Sequence, residues 1–143
     1  MLFRSIMSLK QAVCEQAPWK DERDRFGMAI RQWEARGGQW KLQVLSALLV
    51  ERMQMPPGDD VEKLLAGWQV FLDHLQSLDV MEAPSLKKII DGTQLAKALG
   101  VKPGKWMAQA LDVCVAWQLR NPEETDPSGA IEEVRSKKDE LGI

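Results

Sequence analysis

Residues 92–106, GTQLAKALGVKPGKW, contain the signals for one helix, a tight turn and the start of a second helix. Thr93 is typical of a helix N-cap, because a hydroxyl group there accepts a hydrogen bond from a first-turn amide. Gly100 indicates that the first helix ends at a left-handed residue, and Pro103 predicts that helical geometry restarts close to it. The stretch therefore predicts two helices joined by a short turn that is rich in glycine and lysine.

The same helical periodicity extends along the chain on both sides of this turn. Apolar residues recur three to four positions apart, whereas no segment shows the alternation that is typical of a β-strand. Pro84 interrupts the pattern and predicts a boundary between residues 1–84 and residues 85–143. The sequence therefore predicts an all-α fold, a bundle of about seven helices in two packed lobes.

Three further expectations concern single elements. Asp59, followed by Glu62, predicts a capping box at the start of a helix. The broad apolar arc of residues 40–53 predicts a helix that is buried on two sides. His74 is the only histidine and is expected to face solvent, so we assign it no catalytic or metal-binding role.

Composition limits the classes of protein that this sequence can encode. The chain has 143 residues, a net charge of −2 and two cysteines, Cys14 and Cys114. The cysteines are too far apart for a metal-binding motif, and a reduced, intracellular protein is expected. No run approaches the roughly 18 apolar residues of a membrane span. We expect residues 1–14 to form an ordinary helix, although their lack of acids is also typical of a targeting leader.

Charge is distributed unevenly along the chain. Residues 86–120 carry six bases and two acids, a net charge of +4, whereas residues 121–143 carry three bases and seven acids, a net charge of −4. The turn supplies the candidate phosphate-binding residues Lys102, Gly104 and Lys105, and Lys97 of the preceding short helix can join them. Amides in the first turn of a helix attract anions, and a glycine there allows close approach to the backbone. The alternative is a structural corner whose lysines only maintain solubility.

Residue patterns for catalysis are missing from the sequence. With one histidine there is no evident nucleophile–base pair, no Cys/His cluster has zinc-binding spacing, and no P-loop occurs. Acidic clusters at residues 20–25, 58–60 and 122–127 are interpreted as solvated or helix-capping carboxylates. We therefore predict no catalytic, metal-binding or cofactor-binding residue in this chain.

The turn can also be compared with a DNA-binding helix-turn-helix. In that motif the second helix exposes polar side chains to base edges in the major groove. Residues 105–119 are instead apolar around much of the helix, and Trp106 and Trp117 are expected to seat the turn against the core. Base-specific DNA recognition is therefore disfavoured, whereas contact with a nucleic-acid backbone remains open.

Residues 90–125, IDGTQLAKALGVKPGKWMAQALDVCVAWQLRNPEET, resemble the C-terminal tail of tRNA nucleotidyltransferases, the CCA-adding enzymes, particularly the eukaryotic, fungal type. The matching features are Gly92, the Gly-Val-Lys-Pro-Gly run that precedes Trp106, and the Trp-Gln-Leu-x-Asn-Pro segment that begins at Trp117. The resemblance implies an enzyme that adds C, C and A to tRNA 3′ ends, with Mg²⁺, CTP and ATP bound in an N-terminal catalytic head. Because the head's motifs are missing, this chain is expected to be non-catalytic by itself.

The resemblance also implies a role for the basic turn. In such enzymes the tail holds tRNA near its elbow, and duplex RNA is recognised through its shape, phosphates and 2′-hydroxyls. Lys87 and Lys88 then join the lysines in and just before the turn to form a weak, non-specific RNA-binding surface. The leading hypothesis is a tRNA-binding C-terminal part of a CCA-adding enzyme. The alternatives are an all-helical protein-interaction scaffold and, less favoured, a helix-turn-helix DNA-binding protein; cytoplasm, nucleus and mitochondrion all stay open as compartments.

Overall fold

The computed structural model describes residues 2–56, 58 and 60–142. In this part of the chain there are eight α-helices, one 3-10 helix and no β-strand. This result confirms the predicted all-α fold. The chain divides into two compact units, Met1–Pro84 and Ser85–Ile143, with the 3-10 helix at Ala83–Ser85. None of the described helices is both long enough and apolar enough to cross a membrane.

The described part of the first unit contains four α-helices: α1 (Leu2–Cys14), α2 (Arg23–Gly37), α3 (Trp40–Gln54) and α4 (Val61–Ser77). Helix α1 packs against the other three, and α3 also packs against α2 and α4. The core is formed by large apolar side chains that are at most 1% exposed: Ile6, Phe26, Ile30, Trp33, Trp68, Phe71 and Leu75. The unit therefore has a hydrophobic core of its own.

The second unit is built around one central helix. Its helices are α5 (Gly92–Leu99), α6 (Trp106–Arg120), α7 (Ser128–Ser136) and α8 (Lys138–Leu141), and α6 packs against the other three. The core consists of small and medium side chains: Ile90, Leu95, Leu99, Ala110, Cys114, Ala130 and Val134. The chain after residue 127 forms two helices separated at Lys137, so the described part has eight α-helices where about seven were predicted.

Helix N-caps differ from two of the local expectations. The N-cap of α4 is Asp60, whose Oδ1 accepts a hydrogen bond from the Lys63 backbone N–H at 3.2 Å, and the predicted Asp59 lies outside the described residues. The N-cap of α5 is Asp91 and not Thr93. Adjacent carboxylate and hydroxyl residues can both cap a helix, so sequence alone does not decide between neighbours.

The prediction that α3 is buried on two sides is wrong. One face, with Trp40, Val44 and Ala47, is buried in the first unit. Four apolar side chains elsewhere on the helix are exposed: Leu42 (55%), Leu45 (50%), Leu49 (52%) and Met53 (82%). We call these four residues the α3 stripe. The stripe is a row of large apolar side chains that the described chain does not cover.

The expectation that His74 faces solvent is also wrong. Its side chain is only 15% exposed, and its ring meets the edge of Phe26 with the ring centroids 5.8 Å apart. Nε2 lies 2.6 Å from the Lys20 carbonyl oxygen. That oxygen can only accept, so Nε2 donates the hydrogen bond. His74 therefore holds the segment between α1 and α2 against α4, which is a structural role.

A close approach between α6 and α7 requires a glycine at position 129. A Cβ atom there would overlap the rigid ring of Trp117, whereas a Cβ at Gly92 would overlap only the flexible end of Met107. We expect Gly129→Ala to lower the free energy of unfolding by about 1–3 kcal/mol through overpacking. Gly92→Ala is the matched control and should cost far less, because the Met107 side chain can rotate away. Urea unfolding of both variants checks this, and equal costs would contradict the ring contact.

The two cysteines have different surroundings and should react at different rates. Cys14 is exposed and Cys114 is buried. Burial, with a smaller contribution from Glu133, raises the pKa of the Cys114 thiol from 9.0 to about 11. The thiolate is the reactive form, so iodoacetamide at neutral pH should modify Cys14 first and Cys114 only when the second unit opens. Peptide mass spectrometry over time measures both rates, and equal rates in the folded protein would contradict the burial of Cys114.

Candidate nucleic-acid interface

The turn at residues 102–105 connects α5 to α6, and all four of its residues are exposed. Helix α5 ends at Gly100, whose φ of 67° and ψ of 31° confirm the predicted left-handed residue. The next amide, of Val101, donates to the Ala96 carbonyl at 3.1 Å. This hydrogen bond and the Gly100 dihedral angles reverse the chain direction, so the lysines of the turn lie on the surface.

Helix α6 begins later than Pro103 predicts, and its first residues close the turn. Trp106 is the first helical residue, and its Nε1 donates to the Lys102 carbonyl at 2.9 Å. The Met107 backbone N–H donates to the Gly104 carbonyl at 3.2 Å. The indole of Trp106 is thus engaged with the turn backbone, as expected for a residue that seats the turn.

One of the turn amides that could attract an anion already has a partner within the chain. The Gly104 backbone N–H donates to the Met107 sulphur at 3.3 Å. A thioether is a weak acceptor, so a phosphate oxygen would be a stronger partner for the same donor. One backbone donor of the turn is therefore held by a sulphur atom.

Two of the candidate lysines share a surface groove. The groove is formed by the end of α5 and the following segment, and Thr93, Ala96, Gly100, Val101 and Pro103 line it together with Lys97 and Lys102. Lys105 is exposed at the N-cap of α6. Within the described part of the chain, no carboxylate pairs with any of these lysines. We call Lys97, Lys102 and Lys105 the turn lysines.

Lys87 and Lys88 lie at a different place on the second unit. Both are exposed, and the Lys87 carbonyl accepts a hydrogen bond of 2.6 Å from Gln118 Nε2. Gln118 is in the last turn of α6, whereas Trp106, which binds Lys102, is in its first turn. At a rise of 1.5 Å per residue these two anchor points are about 18 Å apart. The predicted lysines therefore form two groups instead of one cluster.

The acidic end of the chain is partly neutralised within the second unit. Glu133 pairs with Arg120 and lies 3.8 Å from Lys137 Nζ, and Glu132 pairs with Arg135. Among the described residues, no group of three or more His, Cys, Asp or Glu side chains could hold a metal ion. Exposed groups of the second unit that could bind an anion therefore include the two lysine groups and the turn backbone.

The sequence relatives of this chain are named as nucleotidyltransferases. The chain is 49% identical to nucleotidyltransferase lcsQ of Purpureocillium lilacinum, in a match that covers 98% of this chain and 29% of the relative. It is 26% identical to the mitochondrial CCA tRNA nucleotidyltransferase of Saccharomyces cerevisiae, over 73% of this chain and 19% of that protein. It is also 26% identical to tRNA nucleotidyltransferase cca2 of Schizosaccharomyces pombe, over 68% of this chain and 19% of that protein.

The chain is therefore homologous to a region of fungal tRNA nucleotidyltransferases, which confirms the resemblance that residues 90–125 carry. The first of these relatives is named only as a nucleotidyltransferase. The chain spans less than a third of the length of each relative. No protein-family model matches the chain, and no solved structure matches it significantly.

Proposed function

We propose that this chain is the tRNA-binding, C-terminal part of a CCA-adding nucleotidyltransferase and is non-catalytic by itself. The observation that carries the proposal is the exposed turn at residues 102–105, with lysines that no described carboxylate neutralises. Two of the named relatives are tRNA nucleotidyltransferases. The catalytic head, whose motifs this sequence lacks, would bind Mg²⁺, CTP and ATP.

The turn suits a phosphate backbone better than a base. Gly104 has no side chain to hold an anion away from its amide, and Lys102 and Lys105 flank it. Trp106 already uses its indole N–H within the turn, so that group is not available to donate a hydrogen bond to a base. Contacts of this kind recognise the shape of the RNA near the tRNA elbow and do not read its sequence.

The test is a fluorescence-anisotropy titration of this chain with full-length tRNA at about 50 and 200 mM salt, with duplex DNA of equal charge as the control. If the three turn lysines each neutralise one phosphate, affinity should fall about 40-fold over that range. No tRNA binding, or equal binding of both nucleic acids, would overturn the proposal. A parallel assay with CTP, ATP and Mg²⁺ should show no nucleotide addition by the chain alone.

The α3 stripe favours a second, compatible function as a protein-interaction surface. Large exposed apolar patches on small domains mark interaction sites. A groove beside the stripe is lined by apolar residues of α3 and α4, among them Val44, Leu48, Trp68 and Leu72. Because the relatives are more than three times longer than this chain, we propose that the partner is the catalytic region of such an enzyme.

The second function is tested by measuring how tightly this chain binds a shortened lcsQ protein, from which the segment that aligns with this chain has been removed. We expect Leu45→Glu with Leu49→Glu to weaken that association at least about 30-fold, because buried charges at the centre of an interface cost 2 kcal/mol or more. Gln54→Glu, exposed on the same helix but about 140° around it, is the control. Unchanged association would contradict a role for the stripe. Self-association of this chain that the double variant abolishes would instead assign the stripe to a second copy.

A further inference from the structure

We infer that Gln118 is a positioning residue that fixes a second phosphate contact, formed by Lys87 and Lys88, near the C-terminal end of α6. The inference rests on the proposed function, because it concerns how the same unit holds RNA. Gln118 lies at the opposite end of α6 from the turn and carries no charge. The role follows from burial, hydrogen bonding and the length of α6.

Gln118 is the one polar side chain that is buried among the described residues, with 8% of its surface exposed. It lies in a helix whose other buried residues are apolar: Ala110, Cys114, Val115 and Leu119. A buried carboxamide destabilises a fold unless both its donor and its acceptor are satisfied. Its presence in this core therefore depends on the partners that it finds there.

Both ends of the Gln118 carboxamide bind the same short segment. Nε2 donates to the Lys87 carbonyl at 2.6 Å, and Oε1 accepts from the Ile89 backbone N–H at 3.3 Å. Lys88 lies between these two anchor points, and Ile90, the next residue after Ile89, is buried in the core. Two hydrogen bonds from one planar group fix both the position and the direction of the segment, which belongs to no helix.

Helix α6 carries both of the residues that hold the two lysine groups. The Lys102 carbonyl is held from the first turn of α6 and the Lys87 carbonyl from the last. Trp106 and Gln118, which hold these two carbonyls, are separated by about 18 Å of rise along this helix. Both lysine groups are therefore anchored to one rigid element. A segment that is already ordered in the free protein also avoids an ordering cost when RNA binds.

The test compares tRNA binding by the whole chain and by three sets of variants at two salt concentrations. Gln118→Met keeps the length of the side chain and removes both hydrogen bonds. We expect its affinity to fall to that of the Lys87→Ala, Lys88→Ala double variant, with the salt slope reduced by up to about 2. Adding Gln118→Met to that double variant should cause no further loss, whereas adding it to Lys102→Ala, Lys105→Ala should multiply the losses.

A structural readout separates positioning from general damage. Amide hydrogen exchange at Ile89 should become faster in Gln118→Met, while Cys114 stays protected from iodoacetamide. If Cys114 loses protection in Gln118→Met, the comparisons are repeated with Gln118→Asn. The shorter asparagine side chain cannot reach both partners. These measurements do not depend on RNA and show whether the two hydrogen bonds of Gln118 hold the segment at Lys87 and Ile89.

Each outcome decides between the two proposals. If the unmodified chain does not bind tRNA, the proposed function fails and this inference fails with it. If the unmodified chain binds and Gln118→Met binds equally well, the proposed function stands and the inference is overturned. Losses that add fully to those of Lys87→Ala, Lys88→Ala would also overturn it, because they would show that Gln118 acts independently of these lysines.

Discussion

Replacing Lys102 and Lys105 together by glutamate is expected to weaken tRNA binding by about 100-fold at low salt. Each substitution removes a cation that would neutralise a phosphate and adds an anion that repels one. Both changes also place carboxylates beside Gly104, where the proposed function places an RNA phosphate. We expect the dependence of log affinity on log salt to lose about two units of slope, one for each lysine. Anisotropy with full-length tRNA measures the affinity and the slope together.

The matched control for this variant changes the net charge equally at another place. Lys41 and Lys63 are exposed on α3 and α4 of the first unit. Lys41→Glu with Lys63→Glu should weaken tRNA binding only slightly, because the proposed function places no phosphate contact in the first unit and exposed charges without one are largely screened by salt. If both double variants lose the same affinity, binding follows net charge, and the turn at residues 102–105 has no special part in it.

Helix ends could be predicted from sequence where one residue type dominates a backbone conformation. Gly100 is such a position, because a left-handed residue after a helix is nearly always glycine or asparagine. The N-cap of α5 could not be chosen in the same way, since Asp91 and Thr93 are both good caps. The structure resolves the choice through a reciprocal pair, in which Gln94 N–H donates to Asp91 Oδ1 at 2.8 Å and Asp91 N–H donates to Gln94 Oε1 at 3.0 Å.

Apolar periodicity predicted that α3 is a helix but not what covers it. Its apolar arc includes both Val44, which is 4% exposed, and Leu49, which is 52% exposed. The arc alone does not distinguish a face that packs within the chain from a face that is open to a partner. His74 shows the opposite error, because a residue predicted to be exposed is largely buried. It lies opposite the apolar face of α4, and the Lys20 carbonyl binds its ring there.

The candidate site was predictable in its charges and not in its arrangement. A sequence identifies exposed lysines through composition, and it cannot show that Lys87 is held at the last turn of α6 while Lys102 is held at its first turn. Gln118 was missed because it was treated as part of an apolar helix. A signal did exist, because a lone carboxamide between Trp117 and Leu119 on a core helix needs buried partners. Backbone segments that precede such a helix are the natural place to look for them.

Replacing Leu95 by alanine is expected to destabilise the second unit by about 2–5 kcal/mol. Leu95 is fully buried, in a core that it shares with Ala110 and Cys114. Truncation removes apolar contacts and leaves a cavity that the short helix α5 cannot fill without moving. A unit of this size, Ser85–Ile143, has a total stability of roughly 3–9 kcal/mol, so the variant loses a large fraction of it.

The rate of Cys114 modification measures this loss in the second unit directly. Labelling through opening of the unit should become about 30-fold faster or more in Leu95→Ala, since 1.4 kcal/mol corresponds to a factor of ten. Ala98→Ser, an exposed change on the same helix, should stay within about 0.5 kcal/mol of the unmodified chain. Unaltered Cys114 protection in Leu95→Ala would contradict the packing of α5 on α6. Because no lysine changes in this variant, its tRNA affinity should decrease only in proportion to the folded fraction, whereas Lys102→Glu with Lys105→Glu should lose affinity while fully folded.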